Sequence, residues 1–277
     1  MPLTRSFRRQ HDCAEIRESA SVWPGRGSHY SAAVKWTARL RRGGPEFAAP
    51  TAQESLKLVL RDQVGPALRL HGFKGAGANW HLKNLAGDVA IVNVQSSRYS
   101  SSEEVECVIN LAVVPEPWWA MKASEALSTK PATPKEYDGL YRDRVHPSQK
   151  HAIGEGWWHI TTAASARAVA ADMIQQLDSE GIPALTRMLD RGRLIAALRR
   201  GDFGMWKGEA NRPFFDRALA VMLSDGGPSA ELDTLLLKIE SEDADTAPNP
   251  SVEQTVQRIR QSETAWIRQR AAARAGM

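Results

Sequence analysis

The chain has 277 residues, of which 42% are hydrophobic, so it is long enough to bury a sizeable core and is not disordered throughout. Its formal net charge is +4, but residues 1–50 hold nine basic and four acidic residues, a net of +5, whereas the other 27 basic and 28 acidic residues leave the body at −1. Phosphate binding without sequence preference needs clustered Lys and Arg, so the near-neutral body argues against it.

Nothing in the sequence predicts export or membrane insertion. No stretch approaches the roughly 18 consecutive apolar residues of a membrane span, and the first residues include arginines but no apolar segment typical of a secretion signal. The two cysteines, Cys13 and Cys107, lie far apart and predict neither a disulfide framework nor a zinc site. We therefore expect a cytoplasmic protein with no cofactor and no membrane contact.

Residues 1–50 form a basic leader with turn-rich clusters and no convincing hydrophobic periodicity. This composition predicts a poorly ordered extension that the fold does not need. The alternative is an arm that binds nucleic acid or an acidic partner, although basic residues interspersed with acids are weak evidence for it.

The pattern changes at Thr51, which stands three residues before Glu54 in the spacing of a helix capping box. Apolar residues then recur at helical intervals as far as Leu70 and predict an amphipathic first helix. Residues 88–94 and 105–113 are rich in β-branched residues, and the second segment alternates in a way typical of a strand. Because the spacings are short, we predict an α+β fold in which an antiparallel β-meander packs against helices.

The stretch 114–151 is rich in proline and charge, and it predicts a short helix followed by a long loop. A further strand is predicted at residues 156–160. Helical periodicity covers residues 163–179, and Gly181-Ile-Pro183 is expected to break that helix before another begins.

The C-terminal region is predicted to be helical, with an acidic, proline-ended linker at residues 241–250. We therefore divide the chain into three parts: the leader at 1–50, an α+β domain at 51–200 and a helical extension at 201–277.

A series of short motifs runs through the α+β part in a fixed order. They are Gly72-Phe-Lys74, Trp80, Val92-Asn-Val-Gln95 with Ser97, Val108-Ile-Asn-Leu-Ala-Val113, residues 142–145, Trp157-Trp-His-Ile160 and Gly181-Ile-Pro-Ala-Leu185. In this order they resemble the bacterial DUF4304 family, a domain family of unknown function, over roughly residues 51–200. The resemblance implies an α+β fold and supplies no reaction, because the family has no established activity.

Residues 95–104 join two predicted strands and carry the most chemically active side chains. Gln95, Ser97 and Arg98 lie where a loop at the end of a sheet can bind a carboxylate, a phosphate or a peptide backbone, with Arg98 making a bidentate contact. The alternative is a solvated hairpin connection in which Gln95 and Ser97 bond to their own backbone.

Asn93 and Asn110 interrupt apolar strands, and a polar side chain on a sheet needs either solvent or a partner. If both face the same side as Arg98 and Arg144, they line a polar patch. The alternative is an exposed outer face, and the alternation alone does not choose between the two.

Paired tryptophans occur at residues 118–119 and 157–158. Adjacent residues of a strand face opposite sides, so one ring of each pair is expected in the core and the other exposed. Core packing is the stronger expectation for any one tryptophan. We assign Trp158 to the candidate surface as a ring that can stack on a ligand.

Other groups predict no chemistry. The glycine-rich residues 72–77 lack the order of a phosphate-binding loop and predict a plain turn. His146, His151 and His159 have no carboxylate at a metal-binding spacing, and no nucleophile stands beside a base. We therefore predict no metal site and no catalytic residue.

Three functions remain open. The first is a non-catalytic module whose surface, formed by Gln95, Ser97, Arg98, Asn110, Arg144 and Trp158, binds a protein or a small anionic ligand. The second is an enzyme acting on a phosphate- or carboxylate-bearing substrate, which needs a deep pocket that gathers Arg98, Asn110, a carboxylate and a histidine. The third is nucleic-acid binding through the leader.

Overall fold

The computed structural model of the chain describes residues 49–125, 133–148, 156–244 and 249–275. All of them belong to one compact unit. The predicted leader lies almost wholly outside the described residues, and so do positions 245–248 of the predicted linker.

Six strands of the described chain form one antiparallel sheet, which confirms the predicted α+β meander. The strands are β1 (Lys74–Ala76), β2 (Asn79–Lys83), β3 (Val89–Ser96), β4 (Val105–Val114), β5 (Tyr141–Val145) and β6 (Trp158–Ile160). The first five are neighbours in chain order. Strand β3 pairs with one edge of β4. Both β5 and β6 pair with the opposite edge, β5 beside residues 109–113 and β6 beside residues 105–107, so β4 is bonded along both edges.

The helices of the described residues follow the predicted periodicity. They are α1 (Ala52–Val59), α2 (Gly65–Leu70), α3 (Glu116–Glu125), α4 (Ala163–Gln176), α5 (Ile182–Met188), α6 (Arg191–Arg200), α7 (Arg212–Ser224), α8 (Ala230–Ala244) and α9 (Pro250–Ala275). The predicted capping box opens α1, since Thr51 Oγ1 accepts from Glu54 N at 3.1 Å and Glu54 Oε2 accepts from Thr51 N at 2.8 Å.

The predicted break at Pro183 is wrong, because α4 continues into α5 through a π-helical turn, Leu177–Gly181. Proline lacks an N–H and crowds the carbonyl four residues back. The wider turn avoids that conflict, since the Ile182 amide donates to the Leu177 carbonyl five residues earlier. A second π turn, Leu60–Val64, joins α1 to α2 just before Pro66 in the same way.

The region 114–151 is more regular than predicted. It contains α3, which holds Trp118 and Trp119 in a helix, and the strand β5. A small hairpin of β7 (Asp202–Phe203) and β8 (Trp206–Lys207) was also not predicted. In addition, β1 lies within the glycine-rich segment that was expected to be a plain turn.

The core lies between one face of the sheet and the paired helices α1 and α4. Trp80, Leu111 and Trp158 point to this face and have at most 2% of their surface exposed. Gly181 allows the close approach, since a Cβ atom there would lie 3.1 Å from Val145 Cγ2. The C-terminal helices add a second layer, in which α7 contacts α3, α6, α8 and α9.

One buried carboxylate joins these parts. Asp88, in the turn between β2 and β3, has 1% of its surface exposed and accepts from Arg191 Nη2 at 2.8 Å and Nε at 3.0 Å. It also accepts from the Glu116 amide at the start of α3 at 2.9 Å and from the Asn84 side chain at 3.1 Å. Arg191 continues to Asp225 at the end of α7. The sheet, α3, α6 and α7 therefore meet at one ion-pair network.

The charge state of Asp88 couples this network to pH. Burial raises the pKa of Asp88, but the hydrogen bonds from Arg191, the Glu116 amide and Asn84 outweigh it and hold the pKa below its ordinary value of 3.8. A lowered pKa in the folded state contributes stability that is present above pH 3.8 and is lost as the pH falls through the folded-state value.

We predict that Asp88→Ala lowers the free energy of unfolding at pH 7 by about 3 kcal/mol, because it leaves Arg191 without its buried partner. Urea denaturation measures the change. The difference from the wild type should narrow as the pH falls below 3.8. The exposed Asp62, whose partner Arg61 is its neighbour in sequence, provides the control, and Asp62→Ala should leave the midpoint nearly unchanged. Equal effects of the two substitutions would contradict the network's role.

Candidate functional site

A row of polar side chains crosses the sheet on the face away from α1 and α4. The strand register places Asn79 of β2 opposite Asn93 of β3, Asn93 opposite Asn110 of β4, and Asn110 opposite Arg144 of β5. Directly opposed residues of antiparallel strands share a face of the sheet. We call Asn79, Asn93, Asn110 and Arg144 the polar row.

Hydrogen bonds connect the polar row from end to end. Arg144 Nε donates to Asn110 Oδ1 at 3.2 Å. Asn110 Nδ2 donates to Asn93 Oδ1 at 3.2 Å and to Gln95 Oε1 at 2.8 Å. Asn93 Nδ2 then donates to Asn79 Oδ1 at 2.9 Å. Gln95 follows Asn93 on the same face of β3, because side chains two residues apart in a strand point the same way.

The chemistry of Arg144 fixes the direction of this chain of bonds. A guanidinium carries only donors, so Asn110 must turn its oxygen towards Arg144 and its nitrogen towards β3. Asn93 and Gln95 must then present oxygens to Asn110, and Asn93 must direct its nitrogen towards Asn79. Each amide orientation follows from the one before it, and all four amide oxygens accept a bond within the sheet.

The groups left over on the polar row are donors. The Nη groups of Arg144, the Nδ2 group of Asn79 and the Nε2 group of Gln95 have no protein partner among the described residues. All three side chains belong to exposed residues. Asn110, by contrast, is 5% exposed, and its bonded amide needs no ligand. The exposed surface of the polar row therefore presents unbonded N–H groups, whereas its amide oxygens are already bonded within the sheet. Such a surface suits a ligand rich in acceptor oxygens.

The segment 134–139 bounds the polar row on one side. His81 Nε2 donates to the Pro134 carbonyl at 3.2 Å, and Arg142 Nη2 bonds Glu136 Oε1 at 2.9 Å. Both His81 and Arg142 lie two residues along their strands from the polar row, so this segment covers the neighbouring row. Burial lowers the pKa of His81, in spite of the bond to Pro134, so the ring is neutral at pH 7.

Acidic side chains bound the other side. Glu106 of β4 lies opposite His159 of β6 on the same face as Asn110, and His159 Nε2 is hydrogen-bonded to the Glu104 carboxylate. Carboxylates at this edge disfavour an anionic ligand there. The space for such a ligand is therefore limited to the strip between these two boundaries.

Three of the six predicted site residues are brought together: Gln95, Asn110 and Arg144 are joined by hydrogen bonds. Ser97 and Arg98 lie in the following loop. Ser97 Oγ accepts from the Tyr99 amide at 3.2 Å, and Arg98 donates to Tyr99 Oη at 2.6 Å. The contacts of the described residues thus tie Ser97 and Arg98 to their own loop and not to the polar row.

The assignment of Trp158 to the surface is wrong. Its ring has no exposed surface, and its Nε1 donates to the buried carboxylate of Asp172 at 2.8 Å. The expectation that one ring of the pair is buried holds, but the buried ring is Trp158. Trp157 is half-buried and, by alternation, faces the same side of the sheet as Asn110.

Asn79 belongs to the site, although the sequence analysis did not identify it. It stands immediately before Trp80, and only the pairing of β2 with β3 shows that it continues the row. Its signal in the sequence is an asparagine beside a core tryptophan in a short strand, which is too common to be specific.

The described residues contain no group of three or more His, Cys, Asp or Glu side chains able to hold a metal ion. Cys107 is a buried thiol on the helix-facing side of β4, and burial raises its pKa to about 12. The thiol therefore stays protonated at neutral pH and is not a nucleophile.

Residues 64–187 match the model of a family described as a domain of unknown function, DUF4304. The matched segment contains all six strands of the sheet and ends within α5. The match confirms the predicted resemblance to this family over that segment. The four residues of the polar row and Gln95 all lie inside it. No curated protein and no solved structure matches the chain. Among the described residues, the helices are too short or too polar to cross a membrane.

We predict that Trp158→Phe lowers the free energy of unfolding by about 1–3 kcal/mol, because Asp172 loses a donor and the core loses part of a large ring. Thermal or urea unfolding measures the loss. The matched control is Trp157→Phe, which removes the same atoms from a half-buried ring and should have a smaller effect. A larger loss for Trp157→Phe would show that the faces are assigned the wrong way round.

Proposed function

We propose that this DUF4304 domain is a non-catalytic binding module of a bacterial cytoplasm, and that it holds an anionic, acceptor-rich group of its ligand on the polar row. Arg144 is the anchor, with Gln95 and Asn79 as flanking donors. The ligand is a protein segment or a small anion. The cytoplasmic location is supported by Cys107, a buried thiol that has no disulfide.

The direction of the hydrogen bonds in the polar row carries this proposal. Every amide oxygen of the row is used within the sheet, and the free atoms are N–H groups beside one guanidinium. Arg144 Nε donates to Asn110 Oδ1, which restrains the guanidinium and leaves its two Nη groups available to a ligand. A guanidinium held in this way is preorganised for bidentate bonds to a carboxylate or phosphate.

An enzyme has less support. The catalytic hypothesis needed Arg98 beside Asn110, and the described contacts of Arg98 are with Tyr99. The polar row itself has no carboxylate or histidine to serve as an acid or base. The nucleic-acid hypothesis rests on the leader, which lies outside the described residues.

We predict that Arg144→Ala weakens binding of inorganic phosphate or acetate roughly 10- to 100-fold, the loss expected for charge-assisted hydrogen bonds of about 1.5–3 kcal/mol. The measurement is a titration of the ¹⁵N-labelled full-length protein followed by NMR. The side-chain NH₂ signals of Gln95 and Asn79 should shift in the wild type.

Arg98→Ala is the matched control, because it removes the same charge from an exposed loop next to the site and should leave the affinity unchanged. A Gln95→Ala variant should weaken binding to a smaller extent than Arg144→Ala. If Arg98→Ala and Arg144→Ala reduce the affinity equally, or if neither anion shifts the two NH₂ signals, the proposal is wrong.

A further inference from the structure

The strip that contains the polar row runs across the strands and not along them. On one side the segment 134–139 covers the neighbouring row of His81 and Arg142. On the other side lie Glu106 and the hydrogen-bonded side chains of His159 and Glu104. A ligand that follows the strand direction would meet either the covering segment or the carboxylates. A ligand that crosses from β5 to β2 avoids both the covering segment and the carboxylates, and it passes over the unbonded N–H groups of the strip.

Two of the three free donor groups lie at the ends of the strip, and the third, Gln95 Nε2, lies on β3 between them. Arg144 stands on β5, and the free Nδ2 group of Asn79 stands on β2, three strand spacings away. Neighbouring strands lie about 4.8 Å apart, so the two ends are separated by about 14 Å. Asn93 and Asn110, which lie between them, have their nitrogens committed to bonds within the sheet.

A positive charge lies just beyond the β2 end of the strip. Lys74 of β1, one strand further than Asn79, lies opposite His81 in the neighbouring row and is exposed on the same face as Asn79. No ion pair of Lys74 or Arg144 is found among the described residues. One cationic side chain therefore stands at the β5 end of the strip and another just beyond its β2 end, while the middle of the strip has none.

We infer, on the basis of the proposed function, that the ligand is an extended acidic peptide segment with two carboxylates four residues apart. An extended chain rises about 3.4 Å per residue, so side chains four positions apart share a face and lie about 14 Å from each other. One carboxylate binds Arg144, and the other binds Asn79 and Lys74.

Other ligand shapes fit this spacing less well. A single phosphate or carboxylate spans only one end of the strip. Two acids four residues apart on a helix stand about 6 Å apart, less than half the required distance. A strand cannot be added by backbone pairing beside Asn93 or Asn110, because β3 and β4 are bonded along both edges.

Three short peptides of equal length test the inference by NMR titration or calorimetry with the full-length protein. They are Ac-Glu-Gly-Ser-Gly-Glu-NH₂, with carboxylates four residues apart, Ac-Glu-Glu-Gly-Ser-Gly-NH₂, with adjacent carboxylates, and Ac-Glu-Gly-Ser-Gly-Gln-NH₂, with one. The first should bind about five-fold more tightly than the other two, the gain expected for one further exposed ion pair.

Variants separate the two ends of the strip. Lys74→Ala should remove the preference for the first peptide and leave binding of the third unchanged, whereas Arg144→Ala should weaken all three. Lys57→Ala, an equal charge change on α1 at the other face, should alter none of them.

The outcomes distinguish the inference from the proposed function. If all three peptides shift the Gln95 NH₂ signal with equal affinity, the spacing rule is wrong while the anion-binding function stands. If inorganic phosphate binds and none of the peptides does, the peptide inference is likewise wrong. If neither the peptides nor inorganic phosphate shifts the signals, the proposed function fails as well.

Discussion

The position of Asn110 sets the main physical constraint on this sheet. Strand β4 is paired along both edges, and nine of its ten residues are buried. An amide in the middle of such a strand must find hydrogen bonds within the sheet, because an unpaired buried polar group costs about 1–3 kcal/mol. Neighbouring strands supply those bonds from Asn93, Gln95 and Arg144. The polar row, and the donor character of its surface, both follow from satisfying this one side chain.

A second polar group, Asp88, connects the segment that matches the DUF4304 model to the helices that follow it. The family match ends at residue 187, yet Arg191, just beyond it, supplies the main bonds to Asp88 inside the matched segment. Through Asp225 the same guanidinium reaches the end of α7. The polar row lies on the sheet whose β2–β3 turn this network holds, so α6 and α7 support the sheet that carries the polar row although they contribute none of its donors.

Local sequence patterns predicted the elements whose signals are local. Alternation located β4, and the spacing of Thr51 and Glu54 located the start of α1. Properties that depend on pairing were not predictable. The charged residues of β5 are typical of a loop, and the sequence predicted one there. Only the strand register shows that Arg144 continues the polar row. Alternation placed one ring of the 157–158 pair in the core but did not say which, since the choice depends on Asp172, a residue 14 positions further along.

The central claim is that Arg144 sets the orientation of every amide in the polar row. Neutron diffraction of deuterium-exchanged crystals tests it directly, because deuterium distinguishes amide nitrogen from oxygen. The account predicts Asn110 Oδ1 facing Arg144 Nε, deuterons of Asn110 facing Asn93 and Gln95, and the NH₂ group of Asn79 free at the surface. An Asn110 nitrogen facing Arg144, or an Asn79 oxygen free at the surface, would contradict it and remove the donor character on which the proposed binding depends.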